Sequence, residues 1–237
     1  MDADDPRAQL AVACRAFGLL GFEGGGTGHL GARDPEAADR FWMNPLGTPF
    51  AQVTVADLVL VGRDGQVLAG RHEANPSGVA ITRHLLSARP DVAGAVHAHT
   101  AHGIAFSTLG ESLAPISQDA CAFFEDHALL DAYRGVVDEG DAGAVTEALG
   151  PSKALVMRHH GLLTVGSSVG TAAWWFIALE RACQVELLAR SAGRPLVIDP
   201  ATARRARDEV GHEGAARFSF DLVRDHVLSS FGDEFLR

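Results

Sequence analysis

Three cysteines in 237 residues, Cys14, Cys121 and Cys183, are too few and too far apart for a disulfide or thiolate zinc framework. Each sits in an apolar helical pattern and reads as a small buried hydrophobe, as suits a reducing cytoplasm. Basic runs are missing too. With a formal net charge of −10 and a pI near 5.5, the chain lacks the basic face that nucleic-acid phosphates require. No apolar run approaches the roughly 18 residues of a membrane helix, and the start, MDADDPRAQL, has neither a positive region nor an apolar core. We therefore expect a cytoplasmic protein with no nucleic-acid and no membrane partner. A glycine-rich run, Gly24-Gly25-Gly26-Thr27-Gly28-His29, has no lysine-serine or lysine-threonine pair after it, which excludes a nucleotide phosphate loop. Internal repeats and low-complexity tracts are absent.

What is present is a 47% hydrophobic chain, long enough for one substantial core, which we read as a single domain over 1–237 with a helical tail from about 193. Asp4 or Asp5 before Pro6 marks a helix start, and Leu10, Cys14, Phe17 and Leu20 repeat at helical spacing to about Gly21. The glycine run is then a loop able to approach a ligand closely. Leu30 to Arg33 and Arg40 to Met43 read as a strand pair, and Leu58 to Val61 and Gln66 to Leu68 as a hairpin turning at Asp64-Gly65. A helix follows from Asn75-Pro76-Ser77 to about Ser87, a second over Thr100 to Leu109, and a short one over Ala144 to Leu149. A long one from Val169 to about Ala189 carries Trp174 and Trp175, whose apolar excess suits either a core or a subunit contact. The tail reads as a basic helix, Ala201 to Val210, and an amphipathic one, Phe218 to Phe231.

The chemistry gathers at two points. In RPDVAGAVHAHTAHG a short buried strand runs into His97 and His99, and residues two apart on a strand share a face, as two first-row metal ligands would. A His-X-His pair alone also suits an ordinary satisfied pair of histidines. One metal needs a third donor, and His159 or His160, in RHHGLLTVG, again follows an apolar strand, Ala154 to Met157. His102, three residues past His99, is either a supporting partner or an exposed ring.

These stretches, with GTGHLGARDPE, FWMNPLGTPF and NPSGVAITRHLLSARPD, resemble the class II aldolase/adducin family from about Leu10 to about Ala192. The resemblance implies a three-layer α/β/α fold around a central, largely antiparallel mixed sheet. It implies one divalent transition metal on His97, His99 and His160, zinc first, with iron(II) or manganese as alternatives. It also implies substrate contacts from Thr27, Gly28, His29, Asn75, Ser77 and Gln118, and ring-shaped homotetramers.

The sequence departs from that family where the acid and base should be. Gly78 and Val79 stand where the aldolases carry a glutamate, and Gln118-Asp119 where fuculose-phosphate-type aldolases carry a tyrosine; the single tyrosine is Tyr133. His29 and Glu73 are the candidate replacements. The function expected is a metal-dependent lyase that breaks a C–C bond of a small hydroxy- or keto-acid through a metal-stabilised enolate, by retro-aldol cleavage or decarboxylation. Phosphorylated sugars are less expected as substrates. Two alternatives share the ligands or the fold: a non-haem iron oxygenase acting on an aryl-pyruvate or hydroxy-acid side chain, and a non-catalytic adducin-like interaction domain.

Overall fold

The computed structural model of the chain describes residues 2–133 and 135–237. Asp5 accepts the Arg7 N–H and Pro6 occupies the first turn, so helix α1 runs Pro6–Leu19 as its spacing predicts. Strands β1 (His29–Arg33) and β2 (Phe41–Met43) pair antiparallel, and β3 (Val59–Val61) and β4 (Val67–Ala69) form the hairpin expected at Asp64-Gly65. Gly65 takes the positive φ of 81° that this turn demands. Asn75 accepts the Ser77 and Gly78 N–H groups and starts α2 (Pro76–Ala88). Strand β5 (Gly94–Ala98) leads into α3 (Ala101–Ser107).

Two short elements come next that periodicity alone does not reveal. Helix α4 (Gln118–Cys121) spans four residues, and β6 (His127–Leu130) is half-buried throughout, so neither shows an apolar repeat. Helix α5 runs Glu139–Leu149, five residues longer at its start than expected. Asp138 accepts the Gly140 and Asp141 N–H groups there, and this cap offsets the two glycines that hide the helix in the sequence. Strands β7 (Ala154–Met157) and β8 (Gly161–Gly166) are fully buried, and α6 (Val169–Ala192) packs back over β8. The tail holds α7 (Pro200–Val210) and α8 (Glu213–Phe231), the latter also starting earlier than expected because His212 caps it.

The strands form one sheet in the order β4-β3-β2-β1-β5-β8-β7-β6, antiparallel except for the parallel pair β6 and β7. Alternation along the central strands sends side chains to two cores. Ala95, Leu155 and Leu163 meet Ile81, Leu85, Val145 and Leu149 of α2 and α5 on one face. On the other, Leu30, Val96, Val156 and Leu162 meet Leu10, Phe17, Phe106, Phe176 and Leu179 of α1, α3 and α6. The fold is therefore the three-layer α/β/α arrangement with a mixed, largely antiparallel sheet. Trp175 is 1% exposed and its indole donates to Glu213, so it is core, while Trp174 is half-buried against the same core. The tryptophan pair therefore makes no exposed patch, and the apolar excess read from the sequence is absorbed inside the chain. No described helix is long and apolar enough to cross a membrane.

Candidate active site

The site grows out of register. In the β1–β5 ladder His29 lies directly opposite His97, so both rings stand on the face of the sheet that also carries Ala95 and Leu163. His99 lies one residue past the last ladder partner of β5, Ala98, and has the same parity as His97. The third ring arrives by a turn. His159 takes a left-handed φ of 57°, the His160 N–H returns to the Met157 carbonyl at 2.9 Å, and His160 is thrown back over the sheet.

The rings of His97, His99 and His160 lie with centroids 4.7 to 4.9 Å apart and planes near perpendicular, and one nitrogen from each falls within 4.8 Å of the others. His97 Nδ1 is 2.7 Å from the Leu162 carbonyl, to which it donates, leaving Nε2 for the site. Burial holds all three rings below the usual imidazole range. His160 is pushed to about 4, by burial and then by His99. His97 lies well below, through burial and then His29, His160 and His99, and His99 is lowered by burial. At neutral pH the three lone pairs are available to a cation. This donor set suits one divalent transition metal. His159 stays exposed on the rim, so the choice left open between the two adjacent histidines falls to His160.

His29 is the most unusual ring. It is 2% exposed, both of its nitrogens lack a hydrogen-bond partner, and burial with the nearby His160 and His99 pushes it down to about 3. A buried polar group normally finds a partner, and this one lines the same cavity as the three-ring cluster. Its position depends on Gly78, where a Cβ would lie 2.6 Å from the His29 ring. The absence of a side chain at 78 is what makes room for this imidazole.

A cavity of about 440 Å³ covers the four rings. Its other lining residues include the polar Gly26, Thr27, Gly28, Asn75 and Ser77 and the apolar or aromatic Ile81, Ile104, Tyr133, Val136 and Val137. Gly28 takes a φ of 101°, and a Cβ there would meet Phe50 and the His97 carbonyl, so the loop needs glycine to lie this close to β5. Thr27, Gly28, His29, Asn75 and Ser77 are thus brought together. Gln118 and Glu73 are not. Gln118 is exposed on α4, outside the cavity lining, and Glu73 is exposed because its backbone carbonyl is tied to the Leu46 N–H while the side chain faces solvent. His102 turns to Glu180, 2.9 Å away, rather than to the other rings. Tyr133, whose ring is 6.5 Å from that of His160, is a lining residue that the sequence does not signal; it precedes a loop with no periodicity to mark it.

Residues 8–187 match the model of the class II aldolase and adducin N-terminal domain. The chain belongs to the class II aldolase and adducin family. It is 42% identical over 222 residues to decarboxylase NovR of Streptomyces niveus, covering 92% of this chain and 82% of that one. It is equally similar, 42% over 222 residues, to a 4-hydroxy-3-prenylphenylpyruvate oxygenase/4-hydroxy-3-prenylbenzoate synthase of Streptomyces roseochromogenus, covering 92% and 80%. A solved L-fuculose 1-phosphate aldolase from Glaciozyma antarctica superposes with a TM-score of 0.91 at 39% identity, over 98% of this chain and 92% of that one. Family and relatives together support a lyase-type enzyme.

Proposed function

We propose that the protein is a metal-dependent carbon–carbon lyase acting on a small 2-oxo or 2-hydroxy acid, by retro-aldol cleavage or decarboxylation. One observation carries the reading: three neutral imidazoles converge beside a fourth, unpartnered one on the floor of a cavity. His97, His99 and His160 would hold the ion. When bound, a divalent metal, zinc foremost, would supply a Lewis acid that polarises a carbonyl oxygen and takes up the electron pair as an enolate when the bond that breaks lies one carbon beyond that carbonyl, as in a retro-aldol cleavage or the loss of a carboxylate beta to it.

The chain's own residues do the rest. Thr27, Gly28, Asn75 and Ser77 offer hydroxyl, amide and backbone groups that orient the polar end of the substrate. His29, neutral at working pH, offers one ring donor and one ring acceptor to a substrate hydroxyl or a water. Ile81, Ile104, Val136 and Val137 add apolar lining that would fit an apolar substituent. Decarboxylation needs no base to begin it, so it tolerates a site with no carboxylate among its described lining residues better than proton abstraction does.

That apolar lining favours a second reading, an iron(II) oxygenase acting on an aryl-substituted 2-oxo acid; one relative is named as an oxygenase of a prenylated phenylpyruvate. Elemental analysis of protein purified without added metal, followed by turnover of a 4-hydroxy-2-oxo acid without dioxygen and of phenylpyruvate with it, separates the two. Cleavage of the 4-hydroxy-2-oxo acid without dioxygen supports the lyase; turnover of phenylpyruvate alone, strictly dependent on iron and dioxygen, overturns it. The same reading carries a cytoplasmic homotetramer, which would cover exposed apolar side chains such as Leu188, Phe218 and Leu222. A 25 kDa species in light scattering would refute the assembly.

A further inference from the structure

Helix α6 carries two carboxylates buried in the fold, Glu180 and Glu186. Burying a carboxylate is strongly unfavourable unless donors replace its water. Glu186 is explained by packing, since it accepts the Ala114 N–H at 2.9 Å and pairs with Arg190 at 2.5 Å. Glu180 has no arginine or lysine partner among the described residues. It accepts the Thr100 hydroxyl at 2.5 Å, the Gly103 N–H at 2.7 Å and the His102 N–H at 3.1 Å, and faces His102 Nδ1 at 2.9 Å.

All of these donors lie within the four residues after His99. Thr100, the residue that starts α3, makes no capping bond with its own side chain. Glu180 supplies from α6 the acceptor that an N-cap would otherwise provide. Two of the three metal-site rings are placed by other means. His97 is held in the ladder and by Leu162, and His160 by its turn onto Met157. His99 lies beyond the ladder, so the path of its backbone is set by residues 100–103 and the carboxylate that gathers them.

We propose that Glu180 is a positioning residue for the metal site, fixing the exit of β5 and thereby the placement of the His99 imidazole. This rests on the reading of His97, His99 and His160 as ligands. A carboxylate is suited to the task because two oxygens can serve all four donors. A glutamine has one acceptor oxygen and turns an NH₂ group toward groups that themselves donate.

The test is cobalt(II) binding to the metal-free full-length chain, read by competition with a chelator and by the visible absorption of the bound ion. Glu180→Gln should weaken cobalt binding by about 10- to 100-fold and alter the band, the scale at which supporting groups act on metal affinity. Thr100→Val, which removes one donor and leaves the carboxylate, should move both readouts in the same direction by less. Glu186→Gln, which disturbs an equally buried carboxylate on the same helix, should leave affinity within about twofold. Wild-type affinity in Glu180→Gln and Thr100→Val, or an equal loss in Glu186→Gln, overturns the inference while the ligand reading stands. If Glu180→Gln does not fold, unchanged binding in Thr100→Val is sufficient to overturn it. A wild-type chain that binds no cobalt overturns the ligand reading and this inference with it.

Discussion

The floor and the rim of the cavity are built by different means. The floor comes from β1, β5 and the turn into β8, where ladder pairing fixes His29 against His97 and burial keeps every ring neutral. Much of the rim comes from Tyr133, Gly135, Val136 and Val137, of which Tyr133 is 58% and Val136 82% exposed. A residue held on several sides can keep reacting groups in register, whereas one held on few sides can adapt to a substituent. Changes to the floor should therefore act on metal content and turnover. Changes to the rim should act on which substrate is held.

The sharpest break is His99→Ala. Removing a single oxyanion donor costs about 10²–10³-fold in other enzymes, and loss of the whole electrophile should cost at least that. We expect metal content to fall to background and turnover with it, checked by elemental analysis alongside a steady-state assay. Gly78→Ala attacks the floor from beneath. Its Cβ would press on His29 at 2.6 Å and on Met43 at 2.9 Å, and overpacking of this kind costs about 1–3 kcal/mol, readable in urea denaturation. A fully stable Gly78→Ala protein would mean that His29 can move aside, and the fixed floor would lose its main support.

Acid provides a third way to separate the two regions. His29 is held near 3 and His160 near 4, whereas unfolded histidines titrate near 6.5. Between those values the unfolded chain binds more protons than the folded one. Stability of the metal-free protein is therefore full above about pH 6.5 and is lost as the pH falls toward 4, by about 1.4 kcal/mol per pH unit for a fully buried ring such as His29. Denaturation midpoints from pH 7.5 to 4.5, compared with those of His29→Asn, check this: the variant should lose less over the same span. Identical slopes would show that His29 meets solvent and is not part of a dry floor.

Legibility in the sequence divides along the same line. Strand parity marks His97 and His99, whereas the residues alone leave His159 and His160 open and only the family motif singles out His160; Thr27, Gly28, Asn75 and Ser77 lie in loops that the same motifs cover. The capped helices are readable at Asp5 and Asn75 because a cap and a proline coincide there. Tyr133 is not, because it sits between a four-residue strand and a helix with glycines in its first turns, where no period is visible. Nor is the dependence of His29 on Gly78, which is a contact across 49 residues that only the fold creates. Gln118 shows the opposite case. Its family position places it at the substrate, whereas in the structure of the single chain it lies on the surface of α4.

On the rim, Val136→Ala removes two methyl groups from the apolar lining. At about 0.8 kcal/mol per buried methylene-sized group, full burial against substrate would raise KM for an aryl-substituted acid by about tenfold. Partial burial would raise it by less. The kcat value should stay within about twofold, and a 4-hydroxy-2-oxo acid with a small alkyl end should be affected less. A fall in kcat with KM unchanged would mean that the rim takes part in the chemical step, and the division of labour would have to be redrawn.

The smallest effect is expected from Glu73→Gln. Sequence reasoning keeps Glu73 as a stand-in for the family's glutamate because it is the nearest carboxylate to Pro76. Its side chain is exposed, it does not line the cavity, and its backbone is tied to Leu46. A general acid or base must come within hydrogen-bond reach of the proton it moves and contributes about 10²–10⁴-fold when it does. With the Leu46 contact holding its backbone, Glu73 can enter only if the 71–75 segment refolds on substrate binding. We therefore expect kcat/KM within about twofold of wild type, measured with metal saturating so that weakened metal binding cannot masquerade as lost catalysis. A loss of 10²-fold or more would mean that the segment does refold over the substrate. Proton transfer would then pass from His29 on the floor to a carboxylate on a moving loop.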